Sequence, residues 1–415
     1  MHTPRAFTLS VLCLGATAQL QYSTSLLPSN PGGAIPVGIN APSDAGFLSP
    51  TIHPSRGGLA VCVSGIVPVT AQTSQNVKFD FQAPQNQTGV ADTFLKLITA
   101  GGTFVQGITV GPHTVNGTFD IAATLCTPAN DTSPNGVQLL THGVPFDRYY
   151  WDFAPGYSYV DVAAKNGWAT LSYDRLGVGQ SAKPDGVNIV QAPLEVEIAH
   201  SLARALRNGT LGNTRFDTVV GVGHSFGSII TQAVTSQHPS ALDAAVLTGF
   251  TTNSSGVATF ILSINLALAS VNQPYRYSTL ADSYLVAASI ESSQLGFFRA
   301  PTFDPAILAI SEATKGTVTY GEFFTQTIPT APAANFTGPV AVVIGGNDLP
   351  FCSGNCSYPT NQAAALKPAL YANLPEEKFA TYLAPATGHG LNLHYSAVAA
   401  YTFVHEFLNK QGLSA

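Results

Sequence analysis

A series of short, uninterrupted apolar runs, separated by helical stretches and turn residues, constrains this chain more than any other feature. The runs are VQLLTHG (137–143), WATLSYD (168–174), TVVGVGH (218–224), AAVLTGF (244–250), PVAVVIGG (339–346) and FATYLAP (379–385). A strand that is apolar on both faces has to be covered on both, the condition met by a parallel sheet with crossover helices. One such helix, between the second and third runs, is marked at both ends. Pro193 opens it, Glu195 and Glu197 stand in its first turn, Leu194, Ile198, Leu202 and Leu206 recur every four residues, and Arg204, Arg207 and Gly209 close it. Upstream, LAVCVSG, NVKFDF and TFDIAATLCTP alternate at close to period two and predict an antiparallel start to the same sheet. The alternation of runs and helices stops between about residues 252 and 335, where apolar, mostly helical sequence predicts an inserted cap over the carboxyl ends of the strands. Within it, VATFILSINLALASV is broken by Ser263 and Asn265 and is too short to span a membrane.

With 415 residues, 45% of them hydrophobic, the chain has material for one large α/β domain, placed at 59–415 with the insertion inside it. Only 10% of residues are charged, against the usual quarter, a balance suited to an extracellular protein. The 17 Lys and Arg are set against 23 Asp and Glu without a basic block, which excludes nucleic-acid binding. Residues 1–18 have a positive start ending at Arg5, an apolar stretch from Ala6 to Gly15 and small residues at Ala16-Thr17-Ala18, the pattern of a removable secretion signal. The Pro-, Ser- and Gly-rich residues 19–58 are expected to be an extended surface segment.

Cys13 leaves with the signal, and Cys62, Cys126, Cys352 and Cys356 remain as an even set. Of the three pairings open to them, Cys62 with Cys126 and Cys352 with Cys356 are favoured. The first pair stands in early strand-like runs, and the second closes a tight loop. No His or Cys pair at zinc spacing stands near Cys352 and Cys356, so no metal or organic cofactor is implied. Seven sequons, at Asn86, Asn116, Asn130, Asn208, Asn253, Asn335 and Asn355, fit a eukaryotic secretory route, with Asn355 expected to be poorly accessible between paired cysteines.

The chemistry centres on Gly223-His224-Ser225-Phe226-Gly227, a G-x-S-x-G elbow preceded by an apolar strand and followed by the helix-like SIITQAVTSQ. A serine hydroxyl is a weak nucleophile near neutral pH and needs a base, which in turn needs an acid to hold its tautomer. Asp348 follows the strand PVAVVIGG and His389 follows TYLAP, so acid and base come after the serine in the order this elbow requires. His394, five residues on, competes for the role of base but is expected to pack or cap, and Asp282 and Asp304 fall in the cap. Donors for an oxyanion are expected from the amides of Phe226 and of Val144, after His142-Gly143. Trp151 is a candidate for the pocket, whereas Asp147, Tyr150, Asp174 and Arg175 are mostly expected to fix loops.

The motifs HGVP, DRLGVGQS, GHSFG, GGND and GHG, in this order, resemble the α/β-hydrolase superfamily over about residues 59–410, especially its secreted fungal members. That resemblance implies a competent triad of Ser225, Asp348 and His389 acting on an ester, thioester or lactone of a small molecule. Two other readings stand beside it. One is an accessory protein that uses the fold for binding alone. The other is a catalyst of lactonisation or condensation on a secondary metabolite such as a polyketide. The same triad also serves amides, although nothing in the cap sequence points to a peptide groove.

Overall fold

The apolar runs become the centre of a nine-stranded sheet in a computed structural model that describes residues 41–130 and 134–415. The expected signal (1–18) and residues 19–40 of the expected surface segment lie outside the described residues. In chain order the strands are β1 (Leu48–Pro54), β2 (Ala60–Phe79), β3 (Thr109–Pro128), β4 (Gly136–Thr141), β5 (Ala169–Tyr173), β6 (Thr218–His224) and β7 (Ala244–Thr248). Three short strands follow, β8 (Ala267–Leu268), β9 (Tyr284–Val286) and β10 (Val318–Thr319), and then β11 (Val340–Gly345) and β12 (Phe379–Ala384). The large sheet runs β1-β2-β3-β5-β4-β6-β7-β11-β12. From β5 through β12 every neighbouring pair is parallel, and β1, β2 and β3 join as an antiparallel extension.

The physical reason matches the pattern in the sequence. Every residue of β4, β5, β7 and β11 is buried, so these strands have no face for water. The Ala192–Asn208 helix buries Leu194, Ile198, Leu202 and Leu206, has Pro193 in its first turn and ends on Gly209 at φ 70°. That left-handed conformation is one glycine adopts at little cost.

Three expectations change in detail. Residues 48–54, expected in the surface segment, are an edge strand that pairs antiparallel with β2, so the folded domain starts before residue 59. The early strands are longer than expected: β2 and β3 are 20 residues each and pair along most of their length. Between β7 and β11 the helices Val257–Ile264, Ile290–Phe297, Pro305–Thr314 and Tyr320–Thr325 are joined by a small antiparallel sheet, β10-β9-β8, which the apolar composition had concealed. VATFILSINLALASV yields a helix of only 8 residues, because Asn265 takes a left-handed conformation at its end. Among the described residues no helix is long and apolar enough to cross a membrane.

Two cysteine pairs stand at disulfide distance, Cys62 with Cys126 and Cys352 with Cys356. The first is a direct cross-strand pair of β2 and β3. Six sequon asparagines are exposed, Asn355 among them, contrary to the expectation that its loop would hide it. The exception is Asn253, half-buried, whose Nδ2 donates to Gln362.

Candidate active site

Parallel strands end at one edge of a sheet, and in this sheet the loops after β6, β11 and β12 bring Ser225, Asp348 and His389 together there. Ser225 follows β6 directly and begins the Phe226–Gln237 helix with φ 54° and ψ −117°. A side chain in this region is strained, and the surroundings have to impose it. Gly223 and Gly227 make the imposition possible. A Cβ on Gly223 would lie 2.4 Å from the Gly227 carbonyl oxygen, and one on Gly227 would lie 2.1 Å from the Thr141 oxygen.

His389 Nε2 lies 2.8 Å from Ser225 Oγ, and His389 Nδ1 lies 2.6 Å from Asp348 Oδ2. A carboxylate only accepts, so Nδ1 carries the proton, and Nε2 is left to accept from the serine hydroxyl. The other carboxylate oxygen, Asp348 Oδ1, accepts from the Phe351 amide and caps the one-turn helix Leu349–Cys352. The Gly354 amide donates to the Asp348 carbonyl and the Asn347 side chain to the Gly354 carbonyl, so the loop closed by Cys352 and Cys356 is tied to the acid. The rings of Phe260, Phe297 and Phe351 stand 5.5, 5.7 and 5.8 Å from that of His389 and keep bulk water from it.

His394 is not an alternative base. Its Nδ1 donates to the Gly390 carbonyl, while its Nε2 accepts from the Arg299 and Gly388 amides. Burial lowers it to about 4, so it braces the His389 loop as a neutral ring. Asp304 caps the Pro305–Thr314 helix.

The Val144 and Phe226 amides border the same cavity as Ser225. Among the described residues neither N–H has a backbone partner, which leaves both free for an oxyanion. The cavity is narrow, about 40 Å³, and is walled chiefly by Ile229, Val257, Phe260, Ile261, Phe323 and Phe351, with Glu322 and Gln326 as polar members of the lining besides Ser225. Sequence reasoning did not single out these wall residues. The one available signal was the apolar character of the cap, and periodicity does not say which cap face meets which loop. Trp151, expected at the pocket, is a correction: it does not line this cavity but is wholly buried, edge-on to Tyr150 and Tyr159. Its large apolar surface is used in the core. Asp174 fixes loops, pairing with Arg148 and accepting from the Arg148 and Gln180 amides.

Bordering the cavity, which Glu322 helps to line, lies a buried cluster of one arginine and two glutamic acid side chains. Arg175 Nη1 donates to Glu195 at 2.7 Å and to Glu322 at 2.5 Å, and its guanidinium lies 4.5 Å from the Phe226 ring centroid. Glu322 belongs to the cap and also accepts from the Thr319 amide, so a single arginine links sheet, cap and elbow. Burial pushes Glu195 up to about 8, against the pull of Arg175 and with added repulsion from Glu322. The folded protein therefore holds a proton that the unfolded chain releases near the ordinary glutamic acid value of 4.5. A carboxyl raised in this way stabilises the fold at low pH and loses that contribution as pH rises through 8. Buried Asp147 and Asp152, raised to about 6, act in the same direction, whereas His394 and His405, lowered to about 4, oppose it below the usual histidine range. Between pH 7 and 8 the Glu195 contribution is the one still changing. Urea unfolding is expected to show stability falling over that interval, with a flatter profile in Glu195→Gln.

The family model described as "Alpha/beta hydrolase family" matches residues 138–401. No curated protein matches the sequence. Among solved structures, the chain is similar to a thermophilic esterase from Thermogutta terrifontis, at 15% identity and a TM-score of 0.49, covering 71% of this chain and 95% of that one. A soluble variant of monoglyceride lipase from Saccharomyces cerevisiae matches at 13% identity and 0.49, covering 71% and 92%. An epoxide hydrolase from Vigna radiata matches at 14% and 0.45, covering 70% and 95%. The family match spans the sheet from β4 to β12 with the elbow, acid and base loops inside it, and the chain belongs to the α/β-hydrolase family.

Proposed function

We propose that this chain is a secreted, glycosylated serine hydrolase, resembling secreted fungal members of its family, that cleaves a carboxylic ester, thioester or lactone. The observation that carries this reading is the unbroken line Ser225 Oγ, His389 Nε2, His389 Nδ1, Asp348 Oδ2, with spacings of 2.8 and 2.6 Å, at the floor of an apolar cavity. Ser225 Oγ attacks the carbonyl carbon as His389 Nε2 takes its proton. The carbonyl oxygen, now negative, accepts from the Val144 and Phe226 amides, each such donor contributing about 3 kcal/mol to the transition state. His389 returns the proton to the leaving alcohol, thiol or ring oxygen. Water then attacks the acyl-enzyme by the same route and frees Ser225. Asp348 holds the imidazole in the tautomer that makes each transfer possible.

The chiefly apolar walls, with the Glu322 carboxyl among them, favour an acyl group without negative charge. Since ligand sites normally exceed about 300 Å³, a substrate enters as residues 252–335, acting as a cap, move aside. Residues 1–18 act in this reading as the removed signal, and Asn86, Asn116, Asn130, Asn208, Asn253, Asn335 and Asn355 as glycan acceptors. Two cysteine pairs at disulfide distance and six exposed sequon asparagines support passage through an oxidising compartment. The test is reaction of the secreted protein with a fluorophosphonate probe and mapping of the modified peptide. Stoichiometric labelling at Ser225 is expected; a folded protein that does not label would sink the reading in favour of a binding role.

A further inference from the structure

Away from the cavity, two helices present a second set of chemically active side chains to one another. Glu197 and His200 stand three residues apart on the Ala192–Asn208 helix, the spacing that places both on one face. His238 caps the carboxyl end of the Phe226–Gln237 helix. The Nε2 of His238 lies 3.0 Å from Glu197 Oε1 and the Nδ1 of His200 lies 3.6 Å from Glu197 Oε2. The two imidazoles stack, 3.6 Å between centroids and 18° between planes, so that both present nitrogen edges to one carboxylate. One donor atom from each of the three residues lies within 4.8 Å of the other two. All three side chains are 21–25% exposed, open enough for an ion to enter and for the rings to turn.

From this arrangement we infer a zinc-class divalent metal site held by Glu197, His200 and His238, with its remaining position open to water. Bonds of about 2.0–2.2 Å at tetrahedral angles set neighbouring donors about 3.3 Å apart, and the two carboxylate-to-imidazole distances, 3.0 and 3.6 Å, fall either side of that spacing. Two imidazoles and one carboxylate form a donor set of intermediate softness, suited to Zn²⁺ and also to Co²⁺, rather than the all-oxygen set that Mg²⁺ or Ca²⁺ requires. The carboxylate is free to take this role, because among the described residues no Lys or Arg pairs with Glu197. The site does not take part in ester chemistry. It lies at the far end of the helix that begins at the elbow, about 20 Å along the axis from Ser225 at 1.5 Å per residue. Its role is that of a clamp. An ion bound there joins two helices that flank β6, and binding to the folded state alone raises the unfolding temperature.

The test uses the full chain without a histidine tag, freed of metal by chelation and then titrated with ZnCl₂ in a calorimeter, with CoCl₂ as the spectroscopic probe. One equivalent of zinc, a Co²⁺ visible band of tetrahedral intensity and a rise of a few degrees in Tm are expected. His238→Ala and Glu197→Gln should each weaken zinc binding at least tenfold, with the rate of fluorophosphonate labelling at Ser225 unchanged as proof of folding. A folded wild type that takes up no zinc overturns the site. So does one equivalent of zinc bound equally well by a folded His200→Ala/His238→Ala double variant, since the metal would then lie elsewhere.

Discussion

Ser225→Ala is expected to lower kcat for a simple ester by about a millionfold while leaving the unfolding temperature close to that of the parent. The large kinetic effect follows from the proposed mechanism, in which the hydroxyl is the sole atom through which a covalent intermediate forms. What remains over the uncatalysed rate comes from the Val144 and Phe226 amides and from substrate binding. The small structural effect follows from the elbow. Alanine keeps the Cβ at φ 54°, so the strain is neither added to nor relieved. His389→Ala should cost a comparable factor, and the Ser225→Ala/His389→Ala double variant little more, since the two side chains act as one unit. Asp348→Asn should cost about ten-thousandfold, through the wrong imidazole tautomer. Steady-state kinetics on the four proteins checks this. Losses that add from one variant to the next would mean that the three side chains do not act together.

Arg175→Met is expected to be the most damaging substitution for stability, lowering the unfolding free energy by about 3–5 kcal/mol. The guanidinium is fully buried and is shared by Glu195 and Glu322, both also buried. Removing it leaves two carboxyls facing one another without a cation and takes away the group stacked on Phe226. Loss of the arginine should therefore also lower kcat, because in the proposed mechanism Phe226 carries one oxyanion amide. The triple variant Arg175→Met/Glu195→Gln/Glu322→Gln should recover much of the lost stability, because removing every charge together avoids the unpaired state. Urea unfolding of the two variants decides it. A triple variant no more stable than the single would mean that packing, not charge, makes the arginine indispensable.

How much of this was legible in the sequence depended on the range of the signal. The parallel strands were legible because complete burial removes polar residues from both faces, as in Val340–Gly345, and the Ala192–Asn208 helix was legible because its buried stripe and its two ends are local features. Ser225, Asp348 and His389 could be picked out because each is the loop residue after a strand, and strand order puts all three at one sheet edge. Hidden were features that depend on contacts between distant segments. Arg175 and Glu322 are 147 residues apart, and His238 and Glu197 are 41 apart, with nothing at either position to announce the other. Trp151 misled because aromatic residues are enriched in pockets and cores alike. Residues 48–54 misled because an edge strand with exposed side chains lacks the apolar run by which the inner strands declare themselves.

The position of β12 at the end of the sheet bears on how the molecule is made. The sheet grows outward from β4 through β6 and β7, but its next member, β11, begins 96 residues after β7 begins, Ala244 to Val340, and β12 arrives only at Phe379. During synthesis a nascent chain would hold a finished elbow and an unpaired β7 edge for the whole time the intervening segment is being translated. The histidine loop emerges only after β12. In the proposed mechanism the serine therefore has no base until residue 389 has been made, and a ribosome that stalls earlier leaves a product that does not turn over.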